Sequence, residues 1–390
     1  MKNREKPRLS RRGLMAGALA GAAPFALGMA GMAQASSGPA GGLLNVRDFG
    51  AKGDGKAIDT QALQRAIDAA AERKGAVFVP PGVYRSGELQ LRAHVSVVAI
   101  PSWDYGNPGD TAIMLADKNA SCLLNLTGAR GATLDGLALD GGNLGNGIHG
   151  IFLNKPEFQH EDSFRIERCR VARFTGDGLS LKRAWCFSVR HSMLAFNGGD
   201  GLRLQGWDGF IMDNWFSGNR GAGFGARDVN ASVTLTANRI EWNAQENILI
   251  QGGNAYNITG NFFDRAGTCG LALLPRGEVS CGQMTITGNY FRRSGKNAKP
   301  SSYDSCQIRM DNAEGIACVG NSLRTGRDDG GGGLWSPAYG IVYHNLADSV
   351  ITNNVIHGGA MKQLLADLGG HGHGVIVKDN PGSPFVPPAS

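Results

Sequence analysis

The chain has 390 residues, 59 of them Gly and only 18% charged, a composition that suits many short strands and tight turns in a core large enough to need no disulfide or metal staple. Its formal net charge of +6 is concentrated at the start: residues 1–35 hold six basic residues and one acid, so the remainder keeps 33 basic against 32 acidic residues, a net +1. That near balance excludes a charge-driven nucleic-acid or membrane-surface role.

The N-terminus reads as a targeting segment. Ser10-Arg11-Arg12-Gly13-Leu14-Met15 is a twin-arginine motif, an apolar Ala/Gly-rich run follows from Leu14 to Ala33, and Ala33-Gln34-Ala35 is a small-x-small cleavage site. Residues 1–35 are therefore expected to be a signal peptide handled by the twin-arginine translocase, leaving a periplasmic or secreted protein with no membrane contact after cleavage. No other stretch is long and apolar enough to span a bilayer. Residues 36–44 form a Ser/Gly/Pro linker.

After Asn45-Val46-Arg47-Asp48-Phe49-Gly50 the pattern predicts a helix over about 59–74, with Asp59 or Thr60 as N-cap and Leu63, Ala66, Ile67 and Ala70 on one face. Gly75 ends it, and a strand and turn follow over 76–84. This block resembles the N-terminal part of the pectate-lyase/polygalacturonase superfamily, in which an amphipathic helix plugs the end of a right-handed parallel β-helix. The resemblance implies an all-β, single-stranded solenoid with a helical cap. More loosely, the whole chain resembles twin-arginine-translocated repeat proteins of unassigned function, which brings no catalytic residues.

From Cys169 onward an apolar–x–x–Asn–x–apolar pattern recurs at Asn214, Asn238, Asn261, Asn289, Asn321 and Asn354, with Cys169 and Ser192 earlier in the same register. A repeat near 23 residues suits three strands and three turns per coil. Stacked coils would then line up the Asn residues as an internal amide ladder, so none of these is a catalytic candidate. A second pattern, small–x–Gly–apolar–x–apolar, is read at residues 149–153, 177–181, 200–204, 269–273 and 373–377, with Asn in place of Gly at 246–250. The β-helix domain is placed at 45–380 and an extended tail at 381–390. Right-handedness follows from the resemblance and the crossover rule.

Alternation puts Leu179 and Leu181 inward and the residues between them outward. On the outward face Asp177 and Asp200 should stack on adjacent coils, with Lys182, Arg203 and Arg227 beside them; these five are the catalytic candidates. His149, Gln205, Trp207, Glu246 and Arg309 are the candidate substrate-binding residues on the same face. Two chemistries compete. Paired carboxylates raise one pKa and supply a general acid for glycosidic hydrolysis. Alternatively Lys182 or Arg203 takes a proton beside a uronate carboxylate while a neighbouring cation stabilises the enolate-like state, which is β-elimination. The structural alternative is that Asp-Gly simply makes a tight turn.

Trp185, Trp207, Trp215 and Trp242 fall in the same coils, where an exposed ring would stack on a sugar. The insertion at 155–162 is expected to overhang this region and to offer His160 or Glu161. Asp328-Asp329 and Gly370-His371-Gly372 resemble polygalacturonase fragments, but the accompanying Asn-Thr-Asp and Arg-Ile-Lys are missing, so that mechanism is not carried over. The seven cysteines show no CxxC and imply no zinc site; several read as core thiols, and Cys269–Cys281 and Cys306–Cys318 are the pairings open after export. No cofactor is expected, with calcium left open. The expectation is a polysaccharide-processing enzyme acting on an acidic, uronate-containing glycan, lyase or hydrolase. Non-catalytic glycan binding and uronate epimerisation are the alternatives.

Overall fold

The computed structural model describes residues 42–158, 160–299, 302–325 and 333–385. The expected signal segment 1–35, most of the expected linker, Asp328-Asp329 and the end of the tail lie outside the described residues.

The β-branched and Leu-rich runs form short strands that stack on their counterparts one repeat later. Leu179–Arg190 runs beside Leu202–Met212 with Leu179 facing Leu202, Leu181 facing Leu204 and Val189 facing Ile211. Leu202–Met212 in turn pairs with Phe224–Thr236, Leu202 opposite Phe224 and Ile211 opposite Leu235. Each of these long strands bends at its middle, where Arg183, Cys186 and Asp208 take positive φ, and so serves two faces of the coil. The third face comes from Met193–Ala195, Trp215–Ser217 and Arg239–Glu241, stacked through Leu194, Phe216 and Ile240. Pairings between these strands are parallel, and the coils close into a single-stranded right-handed parallel β-helix. One side chain in two points inward, giving a continuous apolar core from Val46 to Ile356.

The amide ladder is formed. Nδ2 of Asn214 donates to Oδ1 of Asn238 at 3.1 Å, and the same bond repeats through Asn261, Asn289, Asn321 and Asn354 at 2.9–3.0 Å. Ser192 and Cys169 continue it toward the N-terminus through backbone N–H groups, and Asn380 extends it by one further coil. The residue before each ladder Asn turns the corner with positive φ, which Gly260, Gly288 and Gly320 adopt at no steric cost. A second ladder, Asn197–Asn219–Asn243, runs at the next corner and ends on Asn247.

The helix occupies Thr60–Arg73 and buries the predicted face. Leu63 and Ile67 meet Val77, Val79, Leu89 and Leu91, interior residues of the first coils. Asp59 sits at the N-cap position, yet its carboxylate is turned back to accept from the amides of Lys52 and Gly53 at 2.7 and 3.0 Å.

Three placements differ from the sequence reading. Leu43 and Leu44, read as the end of the linker, form a strand with Asn45 that pairs with Ala76–Val79. Gly382–Ser383, read as tail, pairs with Ile356–His357. The 373–377 pattern belongs to the strand leading into the Asn ladder, with Val377 facing Ile351. The last strand of the other series is Gln363–Asp367. A small–x–Gly spacing cannot separate these two corners, because both need a tight turn followed by an alternating strand.

Candidate functional site

The corner that opens each coil carries the file His149, Asp177, Asp200, Ala222, Glu246, Cys269, Cys306, fixed by backbone bonds such as Gly178 N–H to the carbonyl of Asp200 and Gly201 N–H to that of Ala222. Glycine follows Asp177 and Asp200 for a steric reason: a Cβ at Gly178 or Gly201 would lie 2.6 Å from a carbonyl oxygen of the next coil. The side chains of the file tie coil to coil. His149 Nδ1 accepts from the Asp177 amide at 2.9 Å, Asp177 Oδ1 from the Asp200 amide at 2.8 Å, and Asp200 Oδ1 from the Ala222 amide at 2.8 Å. Asp177 and Asp200 are thus adjacent, as expected, but only 5% and 4% exposed. Both serve the turn, whatever else they do.

The second oxygen of Asp200 is paired with the Arg227 guanidinium. Arg227 reaches it because the register shifts between Leu204 and Gly206, pushing residues 227–229 out of the ladder. Among the described residues no Lys or Arg forms an ion pair with Asp177. Burial, and next the charge of Asp200, raise its carboxyl above the usual range, against the Asp200 amide, His149 and Arg203, which lower it. Burial likewise lowers the His149 imidazole. His149 Nδ1 and Asp177 Oδ2 are 3.5 Å apart, and at each group burial is the largest influence, opposed by the attraction between them. Since Nδ1 accepts a bond, the neutral ring carries its proton on Nε2. Burial also raises Glu246, opposed by Thr268 and Arg227.

A raised Asp177 has a signed consequence. The folded chain holds that proton more tightly than the unfolded chain, so this group's contribution to stability falls as pH rises from the unfolded value through the raised folded one. Asp177→Asn keeps the acceptor for the Asp200 amide and removes the titration. Its stability relative to the unsubstituted chain is expected to increase over that window and then level off, as read from denaturation midpoints between acid and neutral pH.

Lys182 and Arg203 are exposed on the outward face. Arg203 stacks on Ser180 and Lys182 on Asn154 and Gln205, which makes the two cations diagonal neighbours on adjacent strands. Gln205 is half-buried, and its Oε1 has no partner among the described residues. The other predicted contacts are dispersed. Glu246 lies two coils beyond Asp200. Arg309 shares the Arg203 file but four coils away, roughly 19 Å along the axis. It is held by Asp304 and Asp311, and Asp311 bonds His344 Nδ1 at 2.8 Å. The reading missed His344, although its 33-residue offset from Asp311 equals one of the lengthened coils.

Trp207 is stacked on Phe158 with centroids 3.9 Å apart, so one ring face is covered by protein. Among the described residues, the 155–162 insertion makes no hydrogen bond or ion pair with Asp177 or Asp200. It is pinned at the strand bend by Lys155–Asp162 at 2.9 Å and by Asp162 accepting from the Trp185 amide at 2.7 Å. His160 and Glu161 face an open recess beside His94 and Arg130 instead. On the neighbouring face a cleft of about 600 Å³ is lined by Arg165, Arg190, Asp208, Phe210 and Thr234, which the sequence did not suggest. Among the described residues no group of three or more His, Cys, Asp or Glu side chains is arranged to hold a metal ion.

Comparison with known proteins accords with this architecture. Residues 43–98 match the model "Rhamnogalacturonase A/epimerase, pectate lyase-like", and residues 158–383 match "Right handed beta helix region". Alginate lyase 7 of Azotobacter vinelandii is 29% identical over 199 residues, 45% of this chain and 22% of that protein. Mannuronan C5-epimerase AlgE3 of the same organism is 28% identical over 232 residues, 54% of this chain and 12% of the epimerase. The match thus spans less than a quarter of either relative. Among solved structures, the A-module of the A. vinelandii mannuronan C-5 epimerase AlgE6 aligns with a TM-score of 0.61 at 20% identity, covering 87% of this chain and 99% of the module. With its coils matched over more than half of the sequence, this chain belongs to the right-handed β-helix family.

Proposed function

We propose that this protein processes a uronate-containing polysaccharide by removing the proton beside the uronate carboxylate. The observation that carries the reading is the exposed pair Arg203 and Lys182 on adjacent strands, on the face that begins at the corner where burial raises the Asp177 carboxyl. A guanidinium does not give up its proton, so Arg203 is the group that binds the substrate carboxylate and spreads the charge of the enolate-like state, while Lys182 is the group that takes the proton. Arg227 and Asp200 hold that corner in place.

Two-carboxylate hydrolysis fits less well. Such a mechanism needs carboxyl groups on either side of the scissile bond, about 5 Å or more apart with the sugar between them. Asp177 and Asp200 instead sit in one file, joined through the Asp200 amide and turned the same way. The names of the relatives, an alginate lyase and mannuronan C5-epimerases, support an acidic substrate and the shared proton-abstraction step. Elimination and epimerisation differ only in the fate of the carbanion: loss of the 4-linked oxygen, or return of a proton to the opposite face. The N-terminal motif supports export by the twin-arginine translocase and a periplasmic or secreted site of action.

The test is incubation of the full chain with polymannuronate, polyguluronate and polygalacturonate, following unsaturated-product absorbance, reducing ends and the C5 configuration by NMR. Unsaturated ends or inverted C5 centres are expected on at least one polymer. Reducing ends without unsaturation would make it a hydrolase, and binding without any product would make it a glycan-binding protein; either contradicts the proposal.

A further inference from the structure

In the file that carries Asp177, Asp200 and Glu246, the next two positions are Cys269 and Cys306. Their sulfurs are 3.3 Å apart. Both are buried, 1% and 0% exposed, but not in the coil interior: they lie in a separate outward apolar strip with Ala222, Leu249, Ala272 and Val342. The Cys269 thiol also donates to the carbonyl of Asp304 at 3.4 Å. In-register neighbours on adjacent parallel strands are roughly 4.8 Å apart, within the Cα separation of about 4.4–6.8 Å that a disulfide bridges. Cys281 and Cys318, by contrast, belong to the interior core, so the Cys269–Cys281 and Cys306–Cys318 pairings suggested by sequence spacing are separated by the sheet itself.

We propose that Cys269 and Cys306 are a redox modification site, a dithiol in the newly folded chain that a small or protein disulfide oxidant closes into a covalent tie between two neighbouring coils. The thiolate of one cysteine attacks the oxidant's disulfide, forming a mixed disulfide and releasing one oxidant thiolate. The second cysteine then attacks the protein sulfur of that mixed disulfide and expels the other oxidant thiolate. The chain loses two electrons and two protons, and the oxidant's disulfide becomes two thiols. The thiol–thiol hydrogen bond and burial hold the Cys269 thiol well above its ordinary range, so the step is slow until the Asp304 segment opens. The tie closes a 37-residue separation that contains the insertion around residue 300, the part of the chain where the coil spacing lengthens. This inference is independent of the enzymatic reading.

The experiment uses the full chain purified under reducing conditions, then exposed to oxidised glutathione just below its unfolding midpoint, alkylated during unfolding and digested without reduction. One linked peptide pair joining Cys269 to Cys306 is expected, with the other five cysteines alkylated. The midpoint should rise by roughly 4–8 °C and fall back with dithiothreitol. In Cys306→Ser, Cys269 should retain glutathione as the trapped mixed disulfide, with no rise in the midpoint. A different pairing, glutathione left on Cys269 or Cys306 of the unsubstituted chain, or both thiols still free after the incubation would overturn the proposal. The folded Cys269→Ala/Cys306→Ala double variant must show no response; a rise there would place the effect elsewhere.

Discussion

Replacing Asn261 with Ala is expected to cost about 4 kcal/mol of stability, among the largest effects of any single substitution in this fold. The side chain is 1% exposed and serves four groups. It accepts from the Asn238 amide N–H at 3.0 Å and from Asn238 Nδ2 at 2.9 Å, and it donates to the Leu235 carbonyl at 2.8 Å and to Asn289 Oδ1 at 3.0 Å. Alanine removes all four bonds in a site where each unmade bond costs about 1–3 kcal/mol; Asn289 Oδ1 keeps the residue-261 amide N–H and Asn238 Nδ2 keeps the Ile211 carbonyl, so part of the loss is recovered. Coils contact only their neighbours, so the damage should be local. Hydrogen exchange should quicken first at the Asn238 and Asn289 corners, and the denaturation midpoint should fall. Asn119→Ala, at an exposed position, should change stability by less than about 0.5 kcal/mol.

Arg203→Ala is expected to lower kcat/KM on the responsive polyuronate by roughly 10²- to 10³-fold, the usual loss when a preorganised charge stabiliser is removed. Lys182→Ala should lose at least as much. Lys182→Arg is the sharper probe, since it keeps the positive charge and discards the base; it should retain binding and still fail to turn over. Both positions are exposed, so thermal midpoints should stay within about 1 °C of the unsubstituted chain. A variant that lost stability in step with activity would point to a structural role for these cations.

Much of this was legible because a solenoid writes its geometry into one dimension. A repeat near 23 residues makes Asn214 and Asn238, or Leu179 and Leu202, vertical neighbours without any further information. The second ladder was equally legible and was missed. Asn197, Asn219 and Asn243 each follow a first-ladder residue by five positions, a fixed offset that marks the next corner of every coil. The candidate site was harder to read. The spacing put Asp177 over Asp200 correctly, but not the fact that each carboxylate spends one oxygen on the amide of the next coil. The Arg227–Asp200 contact depends on a register shift, and the fold of the 155–162 insertion depends on Asp162 finding the Trp185 amide. Both are tertiary choices that no periodicity encodes. The cysteine pairing went wrong for a related reason: twelve-residue spacing says nothing about which side of the sheet a thiol faces.

The most direct test of the central claim is isotopic. A polyuronate deuterated at C5 is incubated with the full chain, and label reaching the solvent is followed by deuterium NMR. The account predicts release of the C5 label by the unsubstituted chain, whether the polymer is then cleaved or epimerised, and no release by Lys182→Arg. Retention of the label on a polymer that the protein nevertheless binds or hydrolyses would contradict it.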